Sequence, residues 1–325
     1  MYPASMTKIM TMILVMEAIK ENKITLDTIV IGSKNASKQP GSSIFLSENE
    51  KISVRDLLKG VCIASGNDAS YQLAEKVSGT ESLFVKEMNN KAKELNLKNT
   101  NFMNTTGLPD KGHYSSAFDI ITMSSYLINN YPEILEYTKI YEDYLRKDSD
   151  KPFWLVNTNK LVKSHPDIDG LKSGWTEEAL YCLSSTMMRD NQRFISVVMG
   201  CESVEKRNED TISLLEYGLS NYESVKIYDK NKIVYSHYDI RYNPTTIDVI
   251  LNKDIYILKK KNEELKEVNY NIVLKKDYLK NLNNAGTLEL IYDNKIYSKH
   301  NLVIEDKINK NSILEIFKNL VKEYI

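Results

Sequence analysis

Residues 5–23 read SMTKIMTMILVMEAIKENK, and apolar side chains fall on nearly every face of a helix between Ile9 and Met16. An exposed helix keeps one polar face, whereas a helix that is apolar all round is buried inside a domain. The apolar run is far too short to cross a membrane. The sequence therefore predicts a layered domain built around a helix at residues 5–23.

Helical and strand-like patterns alternate in the following part of the chain. Three further helices are predicted at residues 53–64, 67–78 and 81–96, where apolar residues recur at helical spacing. Two strands are predicted at residues 181–188 and 193–200, and the turn-like sequence RDNQ joins them. Helices combined with adjacent antiparallel strands indicate an α+β fold.

The composition of the chain changes near residue 221. Eleven of the twelve glycines precede this position, and short alternating runs broken by Asn, Asp and Pro follow it. We therefore predict a first domain at residues 1–221 and a small all-β domain, a sandwich or barrel, at residues 222–308. Residues 309–325 form a predicted amphipathic helix. Such a helix can lie in a membrane interface or pack against its own domain, and amphipathicity alone does not choose between them.

Charge, cysteine content and the first residues bound the class of protein. The formal net charge of -1 argues against a dedicated nucleic-acid binder. The three cysteines are too scattered for a disulfide framework, and no cluster of His, Cys, Asp and Glu has the spacing of a zinc site, so we expect no metal and no other cofactor. No basic segment followed by an apolar run and a cleavage site precedes Ser5, so this sequence shows no signal peptide.

Three short motifs suggest chemistry: Ser5-Met6-Thr7-Lys8, Ser65-Gly66-Asn67 and Lys172-Ser173-Gly174. Positions i and i+3 share one face of a helix, so the hydroxyl of Ser5 and the amine of Lys8 can meet. A serine hydroxyl is a weak nucleophile that needs a base. Lys8 can be that base if burial and the second ammonium group of Lys172 lower its pKa. The motifs together predict acyl transfer through a serine ester.

The remaining polar residues fit the same reaction. Ser65 can relay a proton to the leaving amine, and the amide of Asn67 can hold the substrate backbone. A helix N-terminus at Ser5 offers a backbone N–H to a developing oxyanion. Gly174 leaves room for a substrate strand to approach. The residues that can together bind a carboxylate are Lys172, Ser173 and Arg207.

The segments around these motifs resemble a known family. YPASMTKIMT, ASGNDAS, NTTGLP followed by HYSSAFDI, and DGLKSGWTEEA are similar to signature segments of the penicillin-binding serine D-alanyl-D-alanine carboxypeptidases. The resemblance extends from residue 2 to about residue 220, and the β-rich tail and last helix resemble the family's second domain and membrane anchor. It implies a transpeptidase domain of the penicillin-binding and β-lactamase type, with helices on an antiparallel sheet.

The resemblance also implies an activity, partners and a location. Enzymes of this family remove the terminal D-alanine from peptidoglycan stem peptides that end in D-Ala-D-Ala, and β-lactam antibiotics inhibit them covalently. They act outside the cytoplasm in association with the membrane. Carried over by position, the catalytic residues are Ser5, Lys8 and Ser65, and the substrate-binding residues are Asn67, Lys172, Ser173, Gly174, Trp175 and Arg207. The oxyanion hole is expected from the backbone N–H groups of Ser5 and Trp175.

The chain departs from the family pattern at three places. Ser173 replaces the commoner threonine but keeps a hydroxyl. Leu180 stands where the family usually has glycine, which predicts a narrower site. Family members carry a signal peptide and two β-strands before the serine helix, and this sequence shows neither. The loss of those strands predicts weak folding or lost activity, because a sheet edge and apolar helix surface would be uncovered.

Two other functions remain open from the residues. A β-lactamase shares the motifs, but the glutamates of PEILEY, residues 132–137, lack the asparagine that accompanies the catalytic glutamate of class A enzymes. An inactive penicillin-binding or structural module is the other alternative. A Ser-His-Asp triad is less favoured, because no GxSxG motif accompanies the four histidines. His113 is interpreted as a loop residue near the cleft.

Overall fold

The computed structural model describes residues 1–190 and 192–324, and the chain divides into two compact units, Met1–Ser220 and a second unit from Asn221 onward. The helices of the first unit are α1 (Lys8–Lys20), α2 (Val54–Cys62), α3 (Asn67–Ser78), α4 (Glu81–Glu94), α5 (Ala117–Asn130), α6 (Leu135–Thr138), α7 (Leu161–Ser164) and α8 (Val204–Asn221). Its strands are β1 (Ile29–Ile31), β2 (Lys51–Ser53), β3 (Glu142–Leu145), β4 (Phe153–Val156), β5 (Ile168–Thr176), β6 (Leu180–Arg189) and β7 (Gln192–Cys201).

Helix α1 is the centre of the first unit. Its side chains are buried on all faces from Ile9 to Met16, and it contacts α3, α4 and α5. The predicted helix at residues 5–23 is therefore found, but it is shorter and begins differently. Residues Ala4–Thr7 form a 3-10 turn in which Ala4 has a φ of +48°, and the α-helix starts at Lys8.

Strands β5, β6 and β7 form an antiparallel sheet in that order. One face of β7 joins the main core that surrounds α1, through Ile195, Val197 and Met199. The other face packs in a separate cluster with Leu215 and Leu219 of α8. Helices thus cover both faces of this sheet, and because its strands are antiparallel the unit is of the predicted α+β class.

The second unit is rich in strands. They are β8 (Tyr222–Tyr228), β9 (Ile233–Tyr238), β10 (Tyr242–Asn243), β11 (Thr246–Leu251), β12 (Ile255–Lys260), β13 (Val268–Leu274), β14 (Gly286–Tyr292), β15 (Lys295–Val303) and β16 (Asn309–Lys310). Five of them form a sheet in the order β13-β14-β15-β11-β9, and β8 pairs with β12. Alternating residues of these strands fill a core of their own, which includes Val249, Ile257 and Leu288.

The last described element is helix α9 (Ile313–Tyr324). Residues 309 and 310, which the sequence analysis assigns to this helix, instead form β16 and pair with β10. Ser312 and Glu315 start the helix, because each side chain accepts a hydrogen bond from the backbone N–H of the other. Several apolar side chains of α9 are exposed: Ile313 is 88%, Leu314 64% and Phe317 64% accessible. Within the described residues, none of the helices has the length and apolarity needed to cross a bilayer.

Candidate active site

The amine of Lys8 is fully buried and has three oxygen neighbours. Its Nζ lies 2.9 Å from Oγ of Ser5, 2.6 Å from Oδ1 of Asn67 and 2.9 Å from the carbonyl oxygen of Thr106. Two of these neighbours are acceptors only, whereas the hydroxyl of Ser5 can also donate. A neutral amine has two N–H groups and one lone pair. Once Asn67 and Thr106 have taken the two N–H groups, the lone pair faces the proton of Ser5.

The environment of Lys8 favours this neutral form. Burial lowers its pKa well below the usual value, and the positive charge of Lys172 lowers it further. The carboxylate of Asp68 acts in the opposite direction. Ser5 therefore has a base within hydrogen-bond distance, as a serine nucleophile requires.

Lys172 and Arg207 are two further buried cations. Lys172 is 1% and Arg207 4% exposed. The Nζ of Lys172 donates to the carbonyl oxygen of Ser173 at 3.0 Å, and the guanidinium of Arg207 donates to Oδ1 of Asn208 at 2.8 Å. Burial lowers the pKa of Lys172 to about 7; the thiol of Cys62 raises it and the charge of Arg207 lowers it. Within residues 1–190 and 192–324, no carboxylate forms an ion pair with either cation.

Ser5 lies where two cavities meet. The smaller, about 210 Å³, is lined by Ser5, Ser42, Ser65, Thr158, Ser173, Gly174, Trp175, Tyr181, Val204 and Arg207. The larger, about 400 Å³, is lined by Ser5, Gly41, Ser42, Asn67, Thr106, Gly107, Leu108, Pro109, Trp175, Thr176, Glu177 and Glu178. The structure thus brings all nine predicted site residues together, seven as cavity walls and two, Lys8 and Lys172, as buried amines beneath them.

Two glycines hold the turn that contains Ser5. A β-carbon on Gly174 would lie 2.9 Å from Cβ of Ala4 and 3.0 Å from the backbone nitrogen of Ser5. On Gly107, which has a φ of +87°, it would collide with the carbonyl group of Ala4. Gly174 thus allows strand β5 to approach the Ala4–Thr7 turn, a role that differs from the predicted space for substrate. The predicted approach of a substrate strand stays a prediction.

Leu180 does not narrow the site as expected. It is the first residue of β6, has a φ of +55° and is 41% exposed. Neither cavity at Ser5 includes it in its lining. The backbone at this position is in the left-handed region, which favours glycine. The preference for glycine therefore does not come from a lack of space in the site.

Sequence reasoning missed several residues that build the site. The carbonyl of Thr106 fixes Lys8, and Oγ1 of Thr158 accepts a hydrogen bond from Ser173 at 2.7 Å. Asp68, directly after the second motif, accepts hydrogen bonds from Oγ of Ser43 and from the backbone N–H groups of Ile44 and Leu46. The segment NTTGLP and the acidic residue after Ser-Gly-Asn were visible in the sequence, but their contacts depend on the tertiary fold.

The glutamates considered for a β-lactamase lie elsewhere. Glu133 and Glu136 line a cavity of about 590 Å³ together with Met16 and Ile19. These residues belong to the C-terminal end of α1, whereas Ser5 precedes its N-terminal end. The two glutamates are therefore separated from Ser5 by the length of the helix.

A half-buried serine that is hydrogen-bonded to a buried lysine, beside the edge strand β5 of a helix-covered antiparallel sheet, is the arrangement of a serine-type hydrolase. Comparison with known proteins gives the family. The sequence profile of D-alanyl-D-alanine carboxypeptidases matches residues 1–203, and that of the C-terminal domain of penicillin-binding protein 5 matches residues 222–310. The chain belongs to the D-alanyl-D-alanine carboxypeptidase family, so the predicted family and fold class are confirmed.

Individual relatives support this membership. D-alanyl-D-alanine carboxypeptidase DacF of Bacillus subtilis is 41% identical over 325 residues, which cover 99% of this chain and 83% of the relative. Penicillin-binding protein 5 of Haemophilus influenzae superposes with a TM-score of 0.73 at 29% identity, over 95% of this chain and 91% of that one. Penicillin-binding protein D2 of Listeria monocytogenes, solved in a cefotaxime-bound form, has a TM-score of 0.60 and 36% identity over 67% of this chain and 87% of that one.

Proposed function

We propose that this carboxypeptidase removes the terminal D-alanine from peptidoglycan stem peptides through an acyl-enzyme on Ser5. The observation that carries the proposal is the amine of Lys8, whose lone pair faces the hydroxyl of Ser5 once its two N–H groups are bound by Asn67 and Thr106. Lys8 takes the hydroxyl proton as Oγ attacks the carbonyl carbon of the penultimate D-alanine. The backbone N–H groups of Ser5 and Trp175 bind the developing oxyanion.

The second half of the reaction uses the same groups. The amide C–N bond between the penultimate and the terminal D-alanine breaks. The nitrogen of the terminal residue receives a proton through Ser65, which leaves free D-alanine and an ester on Ser5. Water then attacks the ester carbonyl, Lys8 accepts the proton of the water, and Oγ of Ser5 leaves and is reprotonated. The net reaction consumes one water and requires no cofactor.

We assign recognition of the free terminal carboxylate of the substrate to the buried basic side chains. Arg207 and Ser173 line the smaller cavity beside Ser5, and the buried Lys172 donates a hydrogen bond to the carbonyl oxygen of Ser173. Because no carboxylate of the described residues pairs with Lys172 or Arg207, an anionic substrate group can complete the charge balance. The chain end of D-Ala-D-Ala supplies that group, and the carboxylate common to penicillins supplies it in a β-lactam.

The decisive experiment compares three activities of one preparation. D-Alanine release from diacyl-L-lysyl-D-alanyl-D-alanine, covalent labelling by a fluorescent penicillin and hydrolysis of nitrocefin are measured for the wild type and for Ser5→Ala. We expect D-alanine release and a labelled Ser5 in the wild type, and neither in the variant. Rapid nitrocefin turnover without D-alanine release would instead make the protein a β-lactamase. The absence of both release and labelling would make it an inactive module.

We further propose that α9 lies in a membrane interface and that the enzyme acts outside the cytoplasmic membrane. The apolar residues Ile313, Leu314 and Phe317 are exposed, whereas Glu315 and Lys318 line a groove with Pro244 of the same unit. The helix therefore turns polar residues toward its own unit and leaves apolar ones available to lipid.

Sedimentation with lipid vesicles tests the membrane proposal. The full chain is mixed with vesicles that contain about one third anionic phosphatidylglycerol. We expect it to sediment with them, and the double variant Ile313→Ser/Phe317→Ser to remain in the supernatant at an unchanged rate of penicillin labelling. Equal sedimentation of the two proteins would exclude α9 as the anchor.

A further inference from the structure

His113 is a buried ring that contacts the catalytic turn but has no place in the reaction described above. Its Nε2 lies 2.9 Å from Oγ1 of Thr7, which is in the same turn as Ser5 and is fully buried. The backbone N–H of Met103 donates to Nδ1 of His113 at 3.3 Å. Since Nδ1 is an acceptor, the ring proton of neutral His113 resides on Nε2 and is donated to Thr7.

The surroundings of His113 keep the ring neutral. It is 1% exposed, and the ring of Phe102 packs against it edge to face. Burial lowers the pKa of His113 to about 4, against an opposing effect of the carboxylate of Asp110. A neutral ring with one donor and one acceptor, both used, has a fixed orientation. It can therefore hold Thr7 in one position as long as the ring stays neutral.

We propose that His113 is a positioning residue for the nucleophile: through its hydrogen bond to Thr7 it holds the Ala4–Thr7 turn so that Ser5 faces the lone pair of Lys8. This rests on the proposed function of Ser5. The turn needs such support, because Ala4 is in the left-handed region with a φ of +48°, a conformation that costs free energy outside glycine. The loop that contains His113 also supplies the carbonyl of Thr106 to Lys8, so one loop fixes both members of the pair.

The test separates positioning from general stability by variants of Thr7. Thr7→Val keeps the shape but loses the hydroxyl, and Thr7→Ser keeps the hydroxyl. The matched control is Thr11→Val, because Thr11 is also fully buried, lies one turn further along α1 and donates its hydroxyl to the carbonyl of Thr105. The readouts are the second-order rate of Ser5 acylation by a fluorescent penicillin, counted per active site, and the melting temperature.

We expect Thr7→Val to acylate about tenfold more slowly, because small misplacements of reacting groups are costly, and Thr7→Ser to acylate at nearly the wild-type rate. Thr11→Val is expected to lower the melting temperature but leave the rate per active site unchanged. The effects of His113→Ala and Thr7→Val should overlap in the double variant rather than multiply, since both remove one interaction. His113→Gln, which keeps an N–H donor, should restore part of the rate.

Several outcomes would overturn the proposal. One is an acylation rate of Thr7→Val equal to that of the wild type. Another is that the effects of His113→Ala and Thr7→Val multiply in the double variant. A third is that Thr7→Val lowers the melting temperature without slowing acylation. Nitrogen-15 NMR that shows the proton of His113 on Nδ1 at neutral pH would do the same. These failures differ from failure of the proposed function, in which the wild type itself would not be labelled at Ser5.

Discussion

Arg207, Lys172 and Lys8 are three basic side chains buried in one site, and Asp68 is the carboxylate that acts on Lys8. Burial of unpaired charge is costly, so an arrangement of this kind is expected where function requires it. At the scale of single residues, these basic groups differ in how they meet the cost of burial. Burial and the charge of Lys172 lower the pKa of Lys8, which favours its neutral form, whereas Arg207 stays charged.

Replacing Arg207 tests its assignment to the terminal carboxylate. We expect Arg207→Gln to lower kcat/KM for diacyl-L-lysyl-D-alanyl-D-alanine by about 100-fold, because a charged hydrogen bond contributes about 1.5–3 kcal/mol. Arg207→Lys keeps the charge but loses the fork of donors and should have an intermediate effect. The matching substrate that ends in D-alaninamide lacks the terminal negative charge. With this substrate, the kcat/KM values of the wild type and Arg207→Gln should differ little. An equal loss on both substrates would refute the assignment.

At the scale of structural elements, the start of α3 positions the loop at residues 40–46. Asn67 donates from Nδ2 to the carbonyl of Pro40 at 2.6 Å, and Asp68 binds Ser43, Ile44 and Leu46. The same short segment therefore orients Lys8 and fixes a wall of the cleft. The sequence predicts that Asn67 holds the substrate backbone, and only the fold reveals its contacts with Lys8 and with this loop.

We expect Asp68→Asn to affect both the loop at residues 40–46, which forms a wall of the cleft, and the amine of Lys8. An amide cannot accept all the hydrogen bonds that the carboxylate accepts, so the loop should loosen and kcat/KM should fall about tenfold. Because the charge of Asp68 raises the pKa of Lys8, its removal lowers that pKa, and the rise of acylation rate with pH should move to lower pH. The pH profile of penicillin labelling measures this, with Asp56→Asn in α2 as the control. A profile that moves to higher pH would contradict the electrostatic part.

The contact between Gly107 and the Ala4–Thr7 turn leads to a second prediction at the scale of the elements. Gly107→Ala should abolish labelling of Ser5, because the new β-carbon would displace the carbonyl of Ala4. Gly112→Ala is the matched control: Gly112 has a similar φ of +96°, but the nearest atom to its β-carbon, Sδ of Met103, is 3.7 Å away. Both variants place an alanine at a positive φ and therefore carry backbone strain. They differ in the collision with Ala4, which only Gly107→Ala causes. Equal labelling of the two would show that the turn can move aside.

The sequence was informative where chemistry depends on local spacing and less so where it depends on contacts between distant segments. Ser5 and Lys8 lie on one face of a turn, and the predicted strands around residues 181–200 have a clear alternating pattern. The end of the chain was predicted less well, since pairing of Asn309 with Asn243 replaces the start of the helix. Likewise, no pattern in the sequence joins Thr7 to His113, which are 106 positions apart.

At the scale of the whole molecule, the buried lysines couple the site to stability. The pKa of Lys172 is about 7 in the folded protein and has the usual value of 10.5 when the chain is unfolded. Between these values the unfolded chain binds one more proton than the folded one. The free energy of unfolding therefore rises with pH from about 7 to about 10, with a slope of up to about 1.4 kcal/mol per pH unit for this lysine. Lys8, whose pKa is also lowered by burial, contributes in the same direction.

Lys172→Met should flatten this dependence, because an uncharged side chain of similar length removes the titration. We expect the variant to be more resistant to urea than the wild type at pH 6, and the difference to shrink as the pH approaches 10. Both tryptophans, Trp154 and Trp175, belong to the first unit, so their fluorescence reports the unfolding of that unit. The exposed residue Lys98 provides the control Lys98→Met. If the slope between pH 7 and 10 were the same in all three proteins, Lys172 would not be the group that loses its proton on folding.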